Sequence, residues 1–169
     1  GKRANFSKLI FMGAGNKWSQ SSDYKSVKIQ SDIWKDGPVA TAQTDEGTLV
    51  LRGDTAGPEL AKVQSLMGTF EGSKIAYIGT YADDKKSVFI NESGGVKYKN
   101  IRSFYATEDT QIPFYIGQDT KVVEEKDVPY EKVVLNTKAS VEVDKVRTLL
   151  SRTNDGIVWL ASLGESSAV

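Results

Sequence analysis

The chain contains neither cysteine nor histidine, and this absence constrains its fold and its chemistry more than any other feature. Without cysteine it can form no disulfide, and without both residues it lacks the usual zinc ligands, so its stability must come from a hydrophobic core. A chain of 169 residues is long enough to bury such a core unaided. The same absence removes the thiolate nucleophile, the imidazole acid or base, and the side chain that titrates near neutral pH.

Short apolar runs separated by turn residues predict a β-rich domain. Asp45-Glu46-Gly47 predicts a hairpin between residues 38–44 and 48–52, and Glu92–Gly95 predicts another between 87–91 and 96–101. We find no internal repeat and no low-complexity segment. The other expected strands are 6–12, 24–30, 74–82, 112–117, 120–125, 130–136 and 157–163.

Two segments have helical spacing. Residues 57–68 begin near Pro58 and end at Gly68, both typical of helix termini, and residues 140–153 follow a plausible capping residue, Ser140. Their apolar residues recur three or four positions apart, as on one face of a helix. These are Leu60, Val63, Leu66 and Met67 in the first segment, and Val143, Val146, Leu149 and Leu150 in the second.

The expected fold class is therefore α+β. We predict a mostly antiparallel β sheet, or a partly open barrel, with two short helices at about 57–68 and 140–153. Residues 1–169 are expected to form a single domain, with a basic N-terminal arm over about 1–35 and a short flexible tail over about 164–169.

The N-terminal arm carries most of the charge asymmetry, since residues 1–35 contain seven basic and two acidic residues while the whole chain is neutral. Its aromatic residues alternate with lysines, a combination that single-strand nucleic-acid binders use for stacking and for phosphate contacts. The same alternation is typical of a half-buried strand with a solvated lysine face. The candidate nucleic-acid-binding residues are Lys8, Lys17, Trp18, Tyr24, Lys25, Lys28, Trp34 and Lys35.

Catalysis without cysteine and histidine would require other groups. A Ser-Lys hydrolase could use Lys62 or Lys145, although no nucleophile-elbow motif is present. A carboxylate-based hydrolase could use one of several adjacent acidic pairs, but neighbours in a strand point to opposite faces. The pairs are Asp45-Glu46, Asp83-Asp84, Glu108-Asp109 and Glu124-Glu125. We assign no catalytic, cofactor-binding or metal-binding residue and expect no cofactor.

By elimination, we expect a non-enzymatic structural, assembly or interaction module, such as a component of a virion, a phage particle or a cell surface. Its expected partner is another protein or a second copy of itself. The first alternative is a single-stranded nucleic-acid-binding domain that uses the basic arm, and the second is one of the two hydrolases. No apolar run approaches the 18 residues that a membrane helix needs, so we expect no membrane span.

Overall fold

The computed structural model describes residues 6–12, 14–31, 37–69, 74–106, 112–153 and 156–162, which consist almost wholly of antiparallel strands. Strands account for 67% of the structure and helix for 2%, a single 3₁₀ turn at Ala14–Asn16. The chain forms two compact units, Gly1–Val96 and Lys97–Val169.

The first unit contains a two-stranded hairpin and two four-stranded sheets, in which neighbours in sequence are neighbours in space. The first hairpin pairs β1 (Ile10–Met12) with β2 (Trp18–Gln20). Sheet I comprises β3 (Ser26–Ser31), β4 (Val39–Gln43), β5 (Thr48–Arg52) and β6 (Thr55–Ala56). Sheet II comprises β7 (Lys62–Thr69), β8 (Lys74–Thr80), β9 (Lys86–Ile90) and β10 (Ser93–Gly94).

The second unit contains a third sheet of the same kind, followed by a last hairpin. Sheet III comprises β11 (Asn100–Ala106), β12 (Pro113–Val123), β13 (Lys126–Leu135) and β14 (Lys138–Ala139). The last hairpin pairs β15 (Lys145–Thr153) with β16 (Gly156–Ser162).

One structural unit therefore recurs along the chain, contrary to the prediction of no internal repeat. Each complete sheet consists of four strands that pair in sequence order, and its fourth strand contains only two residues. The amide that follows the fourth strand donates to a carbonyl of the third at 2.8–2.9 Å in every copy. These donor and acceptor pairs are Ser21 and Leu9, Gly57 and Val50, Gly95 and Val88, and Ser140 and Val133.

By comparison with the complete sheets, the first hairpin and the last hairpin each correspond to half of this four-stranded unit. β1 and β2 correspond to a third and a fourth strand, whereas β15 and β16 correspond to a first and a second strand. The connection after each fourth strand ends at Tyr24, Leu60, Tyr98 or Val143, positions that lie 36, 38 and 45 residues apart. The last spacing is longer because the hairpin of β12 and β13 is longer than its counterparts.

The turn after the third strand also recurs. Gly53, Asn91 and Asn136 all have positive φ angles, of 62°, 54° and 55°. Glycine and asparagine are the residues that adopt this left-handed conformation most readily. Each donates its amide to the carbonyl of a residue within one position of the start of the second strand. The same left-handed conformation is thus adopted by glycine in one copy and by asparagine in two. Equivalent positions therefore differ in residue type, and the repeat is not apparent from the sequence.

The α+β prediction is wrong, because strands replace both predicted helices. Residues 57–68 hold the connection from β6 and most of β7, and residues 140–153 hold the connection from β14 and the whole of β15. The cause is a set of β-bulges. In β7 one extra residue lies between Gln64 and Met67, with Ser65 at a φ of 51°, and β15 has two such shifts. Side chains on one face of a regular strand lie two positions apart. The extra residue of a bulge makes that separation three positions, which is also the spacing of side chains on one face of a helix.

Several other predictions concern strand pairing. The hairpin of 38–44 with 48–52 is confirmed by the pairing of β4 with β5. The hairpin of 87–91 with 96–101 is wrong, because β9 pairs with β10 and β11 pairs with β12 in sheet III. None of the sheets closes into a barrel. The predicted tail at about 164–169 lies outside the described residues.

The cores lie between successive sheets within each unit. Val39 and Val50 of sheet I pack against Ile75, Tyr77 and Phe89 of sheet II. The opposite face of sheet I packs against the first hairpin, where Leu9 meets a cluster containing Leu49 and Leu51. In the second unit, Ile116 and Val133 of sheet III pack with Trp159 and Ala161 of the last hairpin. Sheet I therefore has one face packed on the first hairpin and the other on sheet II.

Candidate interaction surface

The first hairpin carries the most apolar exposed surface among the described residues. Side chains alternate along its strands, so Leu9 and Phe11 face sheet I while Ile10 and Met12 face the other way. Trp18 lies opposite Met12 in the register. The exposed fractions of Ile10, Met12 and Trp18 are 61%, 52% and 70%. We call these three residues the outer face of the first hairpin.

The recurring unit shows that this exposure is exceptional. The position of Ile10 in the third strand corresponds to Leu51, Phe89 and Val134 in the three complete sheets. Those side chains are 0–2% exposed, against 61% for Ile10. The residue immediately before this position is buried in all four copies. It is Leu9 in the first hairpin and Val50, Val88 or Val133 in the complete sheets. Ile10 thus occupies a position that is buried in all three complete sheets, but no described residue of the chain covers it.

The structure separates the predicted nucleic-acid-binding residues. The amine of Lys8 lies 3.2 Å from the carboxylate of Asp23, and that of Lys25 lies 2.5 Å from Asp45. Tyr24 is half-buried against the core between the first hairpin and sheet I. Lys17 and Trp18 are exposed beside each other in the first hairpin, whereas Lys28 is exposed on β3. Trp34 and Lys35 lie outside the described residues.

Lys28 shares a groove of about 360 Å³ with Lys62 of β7, in a wall that is otherwise mostly polar. Among the described residues neither lysine forms an ion pair. Two lysines without an ion pair beside polar side chains suit this groove to an anion. Sequence reasoning placed Lys28 among the candidates for nucleic-acid binding and Lys62 among those for catalysis.

The second unit contains a buried charge network around Glu131 of β13, whose side chain is 7% exposed. Its carboxylate accepts two hydrogen bonds from the guanidinium of Arg102, at 2.7 and 3.2 Å. It also accepts from the amide of Val146 at 2.6 Å and from the side chain of Gln118 at 2.7 Å. Burial opposes ionisation of this carboxyl, but the donors outweigh it, so the pKa of Glu131 lies below its ordinary value.

This network connects sheet III with the last hairpin. Arg102 also donates to the carbonyl of Val146 at 2.9 Å, so one residue of β15 is bound through both its amide and its carbonyl. A cavity of about 340 Å³ borders the network and is lined by Arg102 and Arg147. Arg102 is paired with Glu131, and Arg147 donates to the hydroxyl of Ser162 at 2.5 Å. Both arginines therefore hold strands together.

The catalytic candidates within the described residues lie at the starts of strands and in turns. Lys62 and Lys145 are exposed at the starts of β7 and β15. Of the adjacent acidic pairs, Asp45-Glu46, Asp83-Asp84 and Glu124-Glu125 lie in turns between strands, and Glu108-Asp109 lies outside the described residues. Among the described residues no group of three or more acidic side chains could hold a metal ion.

Sequence reasoning missed two features of this surface. Ile10 and Met12 lie in an apolar run whose pattern predicts only a strand, and the contrast of Ile10 with its buried equivalents requires the repeat to be recognised. The pairing of Arg102 with Glu131 spans 29 residues and carries no local signal. The strand that contains Glu131 also contains Lys126, Asp127 and Lys132, so its sequence does not single out Glu131 as the buried charge.

Comparison with protein-family models, with curated proteins and with solved structures finds no match. Within the described part of the chain, no helix has the length and apolar character needed to cross a membrane.

Proposed function

We propose that this protein is a non-enzymatic structural or assembly module that binds another protein through the outer face of the first hairpin. The observation that supports the proposal is the exposure of Ile10 at a position where three equivalent side chains are buried. Contiguous exposed apolar side chains are a common mark of protein interfaces, whereas single ones are ordinary. Ile10, Met12 and Trp18 are contiguous, because Met12 follows Ile10 on one face and lies opposite Trp18.

Site-specific photo-crosslinking tests this proposal. A photoreactive phenylalanine analogue at position 18, in the full chain in cells that produce it, should give discrete adducts with protein. The same analogue at position 29 is the matched control, because Ile29 is as exposed as Ile10 but lies on β3. Ile10→Lys should abolish the adducts formed from position 18. Equal adducts from both positions, or none from position 18, would contradict the proposal.

The second candidate function is binding of single-stranded nucleic acid, and the groove that contains Lys28 and Lys62 favours it. Two unpaired lysines beside polar side chains could track a phosphate backbone, with the exposed Trp18 as a stacking group elsewhere in the same unit. Three of the eight predicted residues are less suited to this role, because Lys8 and Lys25 are ion-paired and Tyr24 packs in the core.

Titration with oligo-dT at several salt concentrations tests this second function. If the groove binds phosphates, affinity should fall steeply with salt, and Lys28→Ala and Lys62→Ala should each lower the salt slope by about one unit. Lys25→Ala is the matched control and should change the slope less, because Asp45 already pairs with that lysine. Absence of binding at about 50 mM salt would remove this candidate.

A further inference from the structure

We propose that the first hairpin of one copy of this chain pairs with the last hairpin of a second copy, so that together they form one complete four-stranded sheet. This inference rests on the proposed function, because it names the partner of the outer face. The first hairpin supplies a third and a fourth strand, and the last hairpin supplies a first and a second. In each complete sheet the second strand pairs with the third, as β4 pairs with β5. Within the described residues, β1 and β16 each lack that neighbour.

The recurring unit also fixes the register of the proposed pair. Lys62, Asn100 and Lys145 occupy equivalent positions and pair with Thr80, Gln118 and Ser162 of the second strands. Three residues earlier in those second strands stand Tyr77, Tyr115 and Trp159. Tyr77 pairs with Phe89 and Tyr115 with Val134, which are the equivalents of Ile10. Trp159 of one copy should therefore lie opposite Ile10 of the other, with Ala161 opposite Lys8.

This register explains what would cover the outer face. Trp159 and Ala161 pack against Ile116 and Val133 of sheet III. Because opposite residues in an antiparallel pair point to the same side of the sheet, Ile10 of one copy would face sheet III of the copy that supplies the last hairpin. Burial of Ile10 would then match that of Leu51, Phe89 and Val134. A second copy thus satisfies the free strand edge and the exposed apolar face together, and this is the reason for preferring it to an unrelated partner.

The absence of cysteine makes a disulfide test direct. Opposite residues in an antiparallel pair have Cα atoms about 4.5–5.5 Å apart, which is within disulfide range. Purified Lys8→Cys and Ala161→Cys variants of the 169-residue chain are mixed and oxidised gently, and the products are separated without reductant. We expect mixed dimers to exceed both homodimers, with peptide mass spectrometry locating the bond between positions 8 and 161. Val141→Cys, an exposed site in the connection before β15, replaces Ala161→Cys as the collision control.

Sedimentation equilibrium of the cysteine-free protein provides the second measurement. We expect the mean mass to rise with concentration. Ile10→Lys should weaken this association by roughly tenfold to a hundredfold, the effect of losing one buried isoleucine. Ile29→Lys should leave it unchanged, because Ile29 is equally exposed but lies outside the outer face. A melting curve for each variant confirms that it remains folded.

Two results would overturn this inference. One is a mixed-dimer yield no higher than that of the Val141→Cys control, together with a mean mass in sedimentation equilibrium that stays at the monomer value at every concentration. The other is a bond that forms only inside single chains of a Lys8→Cys and Ala161→Cys double variant. If either occurs while position 18 still crosslinks to a different protein in cells, self-pairing fails and the proposed function stands. If position 18 yields no protein adduct and the chain is monomeric, both fail.

Discussion

Replacement of Glu131 by alanine should lower the free energy of unfolding by about 3 kcal/mol at neutral pH, as expected when one partner of a buried ion pair is removed. The carboxylate accepts hydrogen bonds from Arg102, Gln118 and the amide of Val146, and all of these donors would lose their acceptor at once. Urea unfolding of the full chain measures the change. Since the second unit contains the network, its spectroscopic signals should show the loss most clearly.

The effect of Glu131 should depend on pH in a defined direction. Its folded-state pKa lies below the unfolded value, so its stabilisation is fully present above the unfolded pKa of about 4.3. As the pH falls through the folded pKa, the carboxylate gains a proton and the stabilisation is lost. The difference in unfolding free energy between the wild type and Glu131→Gln should therefore narrow below about pH 4.

Glu142 is the matched control for Glu131. Its carboxylate contacts Lys121 at 2.7 Å and Lys132 at 3.4 Å, but its side chain is 37% exposed. Exposed ion pairs contribute little to stability because water screens them. Glu142→Gln should therefore change the unfolding free energy much less than Glu131→Gln. Equal effects of the two substitutions at neutral pH would show that the buried network has no special role.

Gly117→Ala should destabilise the second unit by about 1–3 kcal/mol, the usual cost of adding a methyl group to a filled core. A Cβ atom at Gly117 would lie 2.5–2.6 Å from three ring atoms of Tyr98. Tyr98 is 1% exposed and packs edge-on against Tyr115, so its ring cannot move aside freely. Thermal unfolding of the variant measures the cost.

The repeat provides a parallel variant and a control for Gly117. Gly79 is its equivalent in sheet II, where a Cβ would lie 2.5 Å from the ring of Phe89 and 2.6 Å from Leu60. Gly79→Ala should therefore destabilise the first unit to a similar degree. Gly68 also lies in a strand, but no atom lies within 4 Å of the position that its Cβ would take. Gly68→Ala should be neutral or slightly stabilising, and a matching loss in all three variants would refute the steric argument.

The β-rich composition of the fold could be predicted from sequence, because apolar alternation and turn residues act over a few positions. The hairpin around Asp45-Glu46-Gly47 is an example, since its register depends on its own turn. The helices could not be distinguished from bulged strands, because an extra residue at Ser65 spaces Val63 and Leu66 as a helix would. Only pairing with β8, a separate strand, settles the choice.

Most of the candidate surface could not be predicted, because it depends on which faces neighbouring sheets cover. Trp18 is a candidate because it is an aromatic residue near lysines, and it is exposed. Tyr24 is a candidate for the same reason, yet it packs in the core, since its position ends the connection after a fourth strand. The two residues cannot be told apart by composition. Their equivalents in the repeat distinguish them, and the repeat becomes visible only in backbone hydrogen bonds.

The order of the strands has a consequence for how the chain reaches this structure. Every paired strand in sheets I, II and III is the neighbour of its partner in sequence, so most contacts close short loops. Proteins dominated by such local contacts fold faster than β proteins whose strands pair across long separations. Each sheet can nucleate independently, as in other repeat arrays. Emergence from the ribosome would thus release one sheet at a time, each able to form before the next is synthesised.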